Sequence, residues 1–360
     1  MYFILNRHRR MKYILFSLLI SFFRKHLSLA NIVLSPSFPI DTNYNNQNIK
    51  TEYLKKPILE WTASLCNGKI YGCGLNTGNG IVSSLDNRFL YATTDDGALS
   101  IIKAKNGKIV KKHIPESDDN TYYTICQSSV SIFYKRKVND DNDYDNNNWD
   151  VGYLVYSVVD IPNDDNLEEE SRIIALDSKG RKLWSSKIKG VSNGTPVIGT
   201  NGKYIYVNHN THNETKGHIS VLDATDNGKI IHTSRNTLPY GPLSIQSDNN
   251  IDTLFWGESI GKGYSNKKDE VSKVRQMKVN HNYNNKFDVE VIHTLASWST
   301  NSEISISRNS GKLRMVGTES RVYAMEYNGT QYKRMWRRKL DLSLRNSSAR
   351  KFYLFLLFNV

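Results

Sequence analysis

From residue 57 onward the apolar residues alternate with polar ones or cluster in short runs, and Asn, Asp and Gly separate the runs. Segments 88–93, 203–207 and 312–316 are examples. A period of two bounded by turn residues is the signature of a β-strand. No stretch sustains a 3.6-residue period, so little helix is expected. Residues 31–56 are polar and Asn-rich and are expected to form an extended leader.

The strand pattern repeats. Residues 81–110 read strand, Asn turn, strand, loop, strand, Asn-Gly turn, strand, and residues 196–207 with 217–231 read the same way. A third copy ends at Ser171–Trp184 and a fourth at Arg321–Trp336, with a more divergent unit from Pro242 to Val279. Unit starts fall near 80, 127, 194, 241 and 303, and the two wider spacings contain polar insertions at 138–149 with 162–170, and at 261–270. A period of about 45 residues holding four short strands is that of a propeller blade. One such unit cannot bury both its faces, whereas stacked units do. The expected fold is therefore all-β, a β-propeller of four-stranded antiparallel blades, about five to seven of them.

The segment Ile174–Trp184 and the run from Val221 through Ile230 resemble the blade repeat of pyrroloquinoline-quinone (PQQ) propellers, the quinoprotein alcohol dehydrogenase-like superfamily. In that repeat an Asp and a Gly form the hairpin turn and a Trp packs between blades. Asp177, Gly180, Asp223, Gly228, Asn328 and Gly329 take the turn positions. Trp184 and Trp336 match the Trp, as does Trp61, read as the last strand of another blade; two units carry Val110 and Ile231 or His232 instead. The resemblance covers roughly residues 57–340. It implies, for an enzyme, PQQ and a calcium ion held by Glu, Asn and Asp, but no Cys-Cys pair and no matching carboxylates occur here. No cofactor is therefore expected unless the enzyme reading holds.

The net charge of +13 is concentrated at the ends. Residues 1–30 carry six cations and no acid, and residues 321–360 nine cations against Glu326 and Asp341, so the remainder sums to zero. On that reading the body has no basic field for phosphates, and nucleic acid is not an expected partner. Residues 1–30 read as a secretory signal peptide: a basic stretch 7–12, an apolar run 13–23 too short to span a bilayer, then Ser28-Leu29-Ala30. The alternative is an amphipathic organelle-targeting leader. Sequons at Asn193, Asn213, Asn328 and Asn346 agree with the secretory lumen or secretion. Of three cysteines, Cys66 and Cys73 are close enough in sequence to be a candidate disulfide, or else all three are small buried residues.

Other candidate chemistry is better explained by turns and loops. Asp95, Asp96, Asp177, Asp223 and Glu326 sit in or beside turns. The acidic run 139–148 lacks the glycine and closing glutamate of a calcium loop and reads as a solvated insertion. His209, His212 and His218 read as loop histidines, and no metal site is expected. The basic run 333–339 reads as a final exposed strand, and residues 341–360 as a basic and apolar tail, the one route to membrane association. The expected function is a non-enzymatic, protein-binding or scaffolding propeller of the secretory pathway with a protein or peptide partner on its surface. The alternatives are a PQQ-dependent oxidoreductase, or a lumenal sensor domain similar to those of endoplasmic-reticulum stress kinases.

Overall fold

The computed structural model describes residues 61–65, 81–116, 122–126, 128–136, 149–163, 168–192, 194–199, 201–210, 217–237, 243–248, 251–258, 273–281, 287–294, 305–306, 312–317, 321–327 and 332–339. The leader, Cys66 and Cys73, the run 139–148, His212, the sequon asparagines 193, 213, 328 and 346, Gly329 and the tail from 340 lie outside them.

These residues fold into five antiparallel sheets that follow one another along the chain. Sheet 1 is β1 (Ile81–Ser83), β2 (Phe89–Thr93), β3 (Leu99–Lys103) and β4 (Ile109–His113), paired in that order. Sheet 2 holds β5 (Tyr122–Ile125) and β6 (Ser131–Arg136), both on the long β7 (Trp149–Pro162), then β8 (Glu170–Leu176) and β9 (Lys182–Lys189). Sheet 3 repeats this, with β10 (Val191–Ser192) and β11 (Val197–Ile198) on β12 (Tyr204–Asn210), then β13 (Gly217–Asp223) and β14 (Lys229–Thr237). Sheet 4 is β15 (Ser244–Asp248), β16 (Ile251–Glu258), β17 (Lys273–Asn280) and β18 (Phe287–Thr294). Sheet 5 is β19 (Ser305–Ile306), β20 (Lys312–Gly317), β21 (Arg321–Tyr327) and β22 (Tyr332–Lys339). Each is an up-and-down meander, the blade of a β-propeller. The first strand of sheets 2 and 3 is split in two, which places their starts a few residues ahead of the expected 127 and 194.

The middle strands read as unbroken apolar runs because both faces of each sheet are covered. Leu154, Tyr156 and Val158 pack with Tyr91, Leu99 and Ile101 of sheet 1, while Val155 on the opposite face packs with Ile205, Val207 and Leu222 of sheet 3. Tyr204, Tyr206 and Ile219 turn the other way, against Leu254, Trp256 and Met277 of sheet 4. A fully buried leucine or isoleucine contributes about 1.5–3 kcal/mol of transfer free energy. Leu154, at 0% exposure, sits in the middle of the first interface, where truncation to alanine costs about 2–5 kcal/mol. Helix is confined among the described residues to one short 3₁₀ turn, Ala224–Asp226, with Asp223 accepting from the Thr225 N–H at its start.

Candidate functional site

A recurring contact sets one side chain against a following glycine turn, twice from the outer strand of the preceding sheet and once from Trp61, which lies outside the described strands. Gly107, Gly180 and Gly228 all have positive φ (66°, 75° and 73°), a conformation that costs an L side chain about 1–2 kcal/mol. Each turn packs against one preceding side chain. A Cβ on Gly107 would fall within the Trp61 ring, on Gly180 it would meet Lys111 Cγ at 2.9 Å, and on Gly228 Trp184 Cε3 at 2.5 Å. Trp61 also donates Nε1–H to the Ala104 carbonyl at 2.8 Å, and the Ser186 hydroxyl donates to the Gly228 carbonyl at 2.7 Å.

The register identifies the docking position in the units without Trp. Ala175 pairs with Trp184, Ile101 with Lys111, Val221 with His232 and Ala324 with Trp336. The expectation of Val110 is therefore corrected by one residue to Lys111, whose aliphatic stem supplies the apolar body. His232 rather than Ile231 occupies the position in sheet 3 and stacks on Phe287 of sheet 4 at 4.1 Å. Trp336 stands 39% exposed. The turn aspartates act locally: Asp177 accepts from the Lys179 and Arg181 N–H groups, and Asp96 from the Ala98 N–H and the Thr94 hydroxyl.

The same register exposes a feature that sequence reading missed. In each of these four units the outer strand carries one extra residue immediately before the docking position, a β-bulge. The extra residues are Val110, Leu183, Ile231 and Met335, and they are 50, 51, 37 and 46% exposed. Four large apolar side chains thus stand in solvent at one equivalent position. The strands that carry them are uniformly basic. There are two lysines in β4, three in β9, a lysine and an arginine in β14 and five basic residues in β22, with no Asp or Glu in any. β18 breaks the rule with Asp288 and Glu290. The neutral sum of the body conceals a segregation: cations lie on outer strands, and many acids lie in turns and insertions.

Between the outer strands of sheets 1 and 2 this basic face encloses a cleft of about 420 Å³. Lys111, Lys112 and His113 line one side, Arg181, Lys182 and Lys187 the other, and among the described residues Glu116 is the single carboxylate on its wall. Burial first, then the Lys182 cation, holds His113 below the ordinary imidazole range. Its Nε2 is buried without a hydrogen-bond partner. Beneath the cleft Arg172 grips Asp160 through Nε and Nη2 and donates from Nη1 to the Glu116 carbonyl at 2.6 Å.

Three other polar clusters are buried. Asp252, at 0% exposure, accepts through Oδ2 from the Tyr206 hydroxyl (2.7 Å) and from His281 Nε2–H (2.8 Å), and the Asn201 side chain donates to His281 Nδ1 at 2.9 Å. Burial and the Asp252 charge push the Tyr206 phenol well up, so it serves as a donor. His209 and His218 are not loop residues: they face each other across β12 and β13, rings stacked at 5.3 Å. His209 donates Nδ1–H to the Lys189 carbonyl and accepts at Nε2 from the Ser220 hydroxyl, each at 2.9 Å. Cys126 is buried, its thiol donating to the Ser128 and Ser157 carbonyls at 3.3 Å. Nearby, the Thr195 hydroxyl of the first sequon accepts from the Ser129 N–H at 3.0 Å, and Gly194 is buried. Among the described residues no three His, Cys, Asp or Glu side chains gather in a metal-holding group, and no helix is long and apolar enough to cross a membrane.

No family model and no curated protein matches the chain. Solved structures align with part of it. Hydrazine synthase of Kuenenia stuttgartiensis aligns over 73% of this chain and 80% of its own at 10% identity and a TM-score of 0.39. BamB of Moraxella catarrhalis aligns over 72% of this chain and 61% of its own, at 13% identity and 0.40. The β-propeller domain of Cps50 (Swd1) of Myceliophteria thermophila aligns over 71% and 70%, at 12% identity and 0.39. At these values no function transfers, and the propeller assignment rests on the chain's own five sheets.

Proposed function

We propose that this chain is a non-enzymatic, protein-binding propeller of the secretory pathway, built on a divergent PQQ-type repeat, whose contact surface is its outer-strand rim. The observation that carries this reading is the set of bulged residues Val110, Leu183, Ile231 and Met335, each 37–51% exposed at one equivalent position. Bulges and lysines both protect an edge strand from unwanted pairing. Protection explains the lysines, but a large apolar side chain at the bulge tip works against it. Repeated apolar residues within a polar, basic surround are the composition of an interaction surface. The lumenal location is supported by the leader and by the sequons at Asn213, Asn328 and Asn346.

The test is proximity crosslinking in cells followed by mass-spectrometric identification, with the wild type beside a Val110→Ser/Leu183→Ser/Ile231→Ser variant. The reading expects one identified lumenal protein, crosslinked at outer-strand peptides and lost from the variant while the variant keeps its melting temperature. An unchanged partner set overturns it. So does cofactor absorbance and dye reduction on adding PQQ and calcium.

A further inference from the structure

The cleft between β4 and β9 states the chemistry of its occupant more narrowly than the rim does. We infer that it docks a short acidic peptide segment of a partner protein, carboxylates against Lys111, Lys182 and Lys187 and an apolar side chain against Ile114. The inference rests on the protein-binding reading above and deepens it.

Charge is the first ground. Among the described residues six lysines and arginines line the cleft against one carboxylate. Three of the six are committed: Arg172 is held by buried Asp160, Arg181 lies 2.6 Å from Asp177, and Lys112, 18% exposed, donates to the Leu65 carbonyl at 3.0 Å. Lys182 at 3.9 Å from Glu116 and Lys187 at 3.8 Å from Glu170 form long, exposed pairs. Exposed lysine pairs of this kind contribute about 0–1 kcal/mol and exchange readily for a better-placed carboxylate. Lys111 runs its stem past Gly180 and is exposed.

Shape is the second ground. About 420 Å³ falls within the range of small-ligand sites and fits a few side chains of an extended peptide. Ile114 lines the same cleft and is 59% exposed, so the site offers an apolar contact beside its charges.

Glu116 supplies the third. Its carboxylate is 87% exposed and faces Lys182, while its backbone carbonyl is fixed by Arg172 Nη1–H. It stands where a ligand carboxylate would sit, an internal placeholder that an acidic segment displaces.

Fluorescence anisotropy on the purified chain tests this, with a labelled short peptide of Glu, Asp and Leu, an isosteric Gln, Asn and Leu peptide, and a short single-stranded oligonucleotide. The expected result is saturable binding of the acidic peptide that weakens with salt. Lys111→Glu with Lys182→Glu should weaken it at least about tenfold, and Lys278→Glu on β17 should leave it unchanged. Glu116→Gln should tighten it several-fold, a gain that a misfolded variant does not produce. Equal binding of the two peptides, stronger binding of the oligonucleotide, or a Glu116→Gln variant with unchanged affinity overturns the inference. Should it fail while the rim variant still loses its crosslinked partner, the protein-binding reading stands and only the acidic occupant falls.

Discussion

Trp184 lies across the backbone of Gly228 so closely that a methyl group there would meet its Cε3 at 2.5 Å. Gly228→Ala therefore carries two penalties, an unfavourable positive φ of about 1–2 kcal/mol and displacement of a ring. At Gly180 the atom met is Lys111 Cγ, part of a flexible stem that can give way. Urea unfolding should show Gly228→Ala lowering the midpoint clearly more than Gly180→Ala. In a Trp184→Ala background the Gly228→Ala penalty should shrink towards its backbone part, and strict additivity of the two would deny the contact.

Burial first, with His218 adding to it, lowers His209 to about 4. Its unfolded value is about 6.5, so between these values the unfolded state binds the proton and the folded state does not. Stability is unaffected above pH 7 and falls as the pH drops from about 6.5 to about 4, by roughly 3 kcal/mol for this group. His113 and His232, also lowered by burial, act in the same direction. Thermal melts across this range should show the loss, and His209→Gln should flatten the slope.

The Arg172–Asp160 pair, with side chains 8% and 11% exposed, illustrates the asymmetry of buried charge. Arg172→Met alone leaves the Asp160 carboxylate buried and should cost about 3–5 kcal/mol. Arg172→Met with Asp160→Leu should recover much of that by removing the orphaned charge. If the double variant is as unstable as the single one in chemical denaturation, the ion pair is not the source of the penalty.

Cys126 is fully buried, and burial raises its thiol above the ordinary range. Thiolate is the reactive form. Iodoacetamide should leave the Cys126 peptide unmodified in the native protein and label it fully in denaturant, as read by mass spectrometry. Native labelling at a rate near that of free cysteine would contradict this burial.

The strand pattern and unit spacing were legible because strands covered on both faces read as short apolar runs cut by turn residues, as in the start of β12 at Tyr204–Val207. Less legible was anything that depends on pairing register. Lys111 and His232 look nothing like tryptophan, yet a docking position asks only for a flat or linear apolar body. One inserted residue per outer strand moved the position from Val110 to Lys111 and pushed Val110 outward. His209 and His218 sit among polar residues that suggest a loop, but hydrogen bonds to Lys189, Ser220 and Ser234 satisfy them inside a sheet. The basic outer strands were hidden by summation, since acids in turns cancel them in any net charge while remaining separate in space.

The docking contacts also share a direction. Trp61 precedes Gly107, Lys111 precedes Gly180 and Trp184 precedes Gly228, so the side chain is always synthesised before the turn that receives it. For these three contacts a chain emerging from its N-terminus can seat the later turn on a side chain already made. Vectorial assembly of this kind keeps long-range loop closure out of the early steps and limits the time that unpaired edges are exposed to other chains.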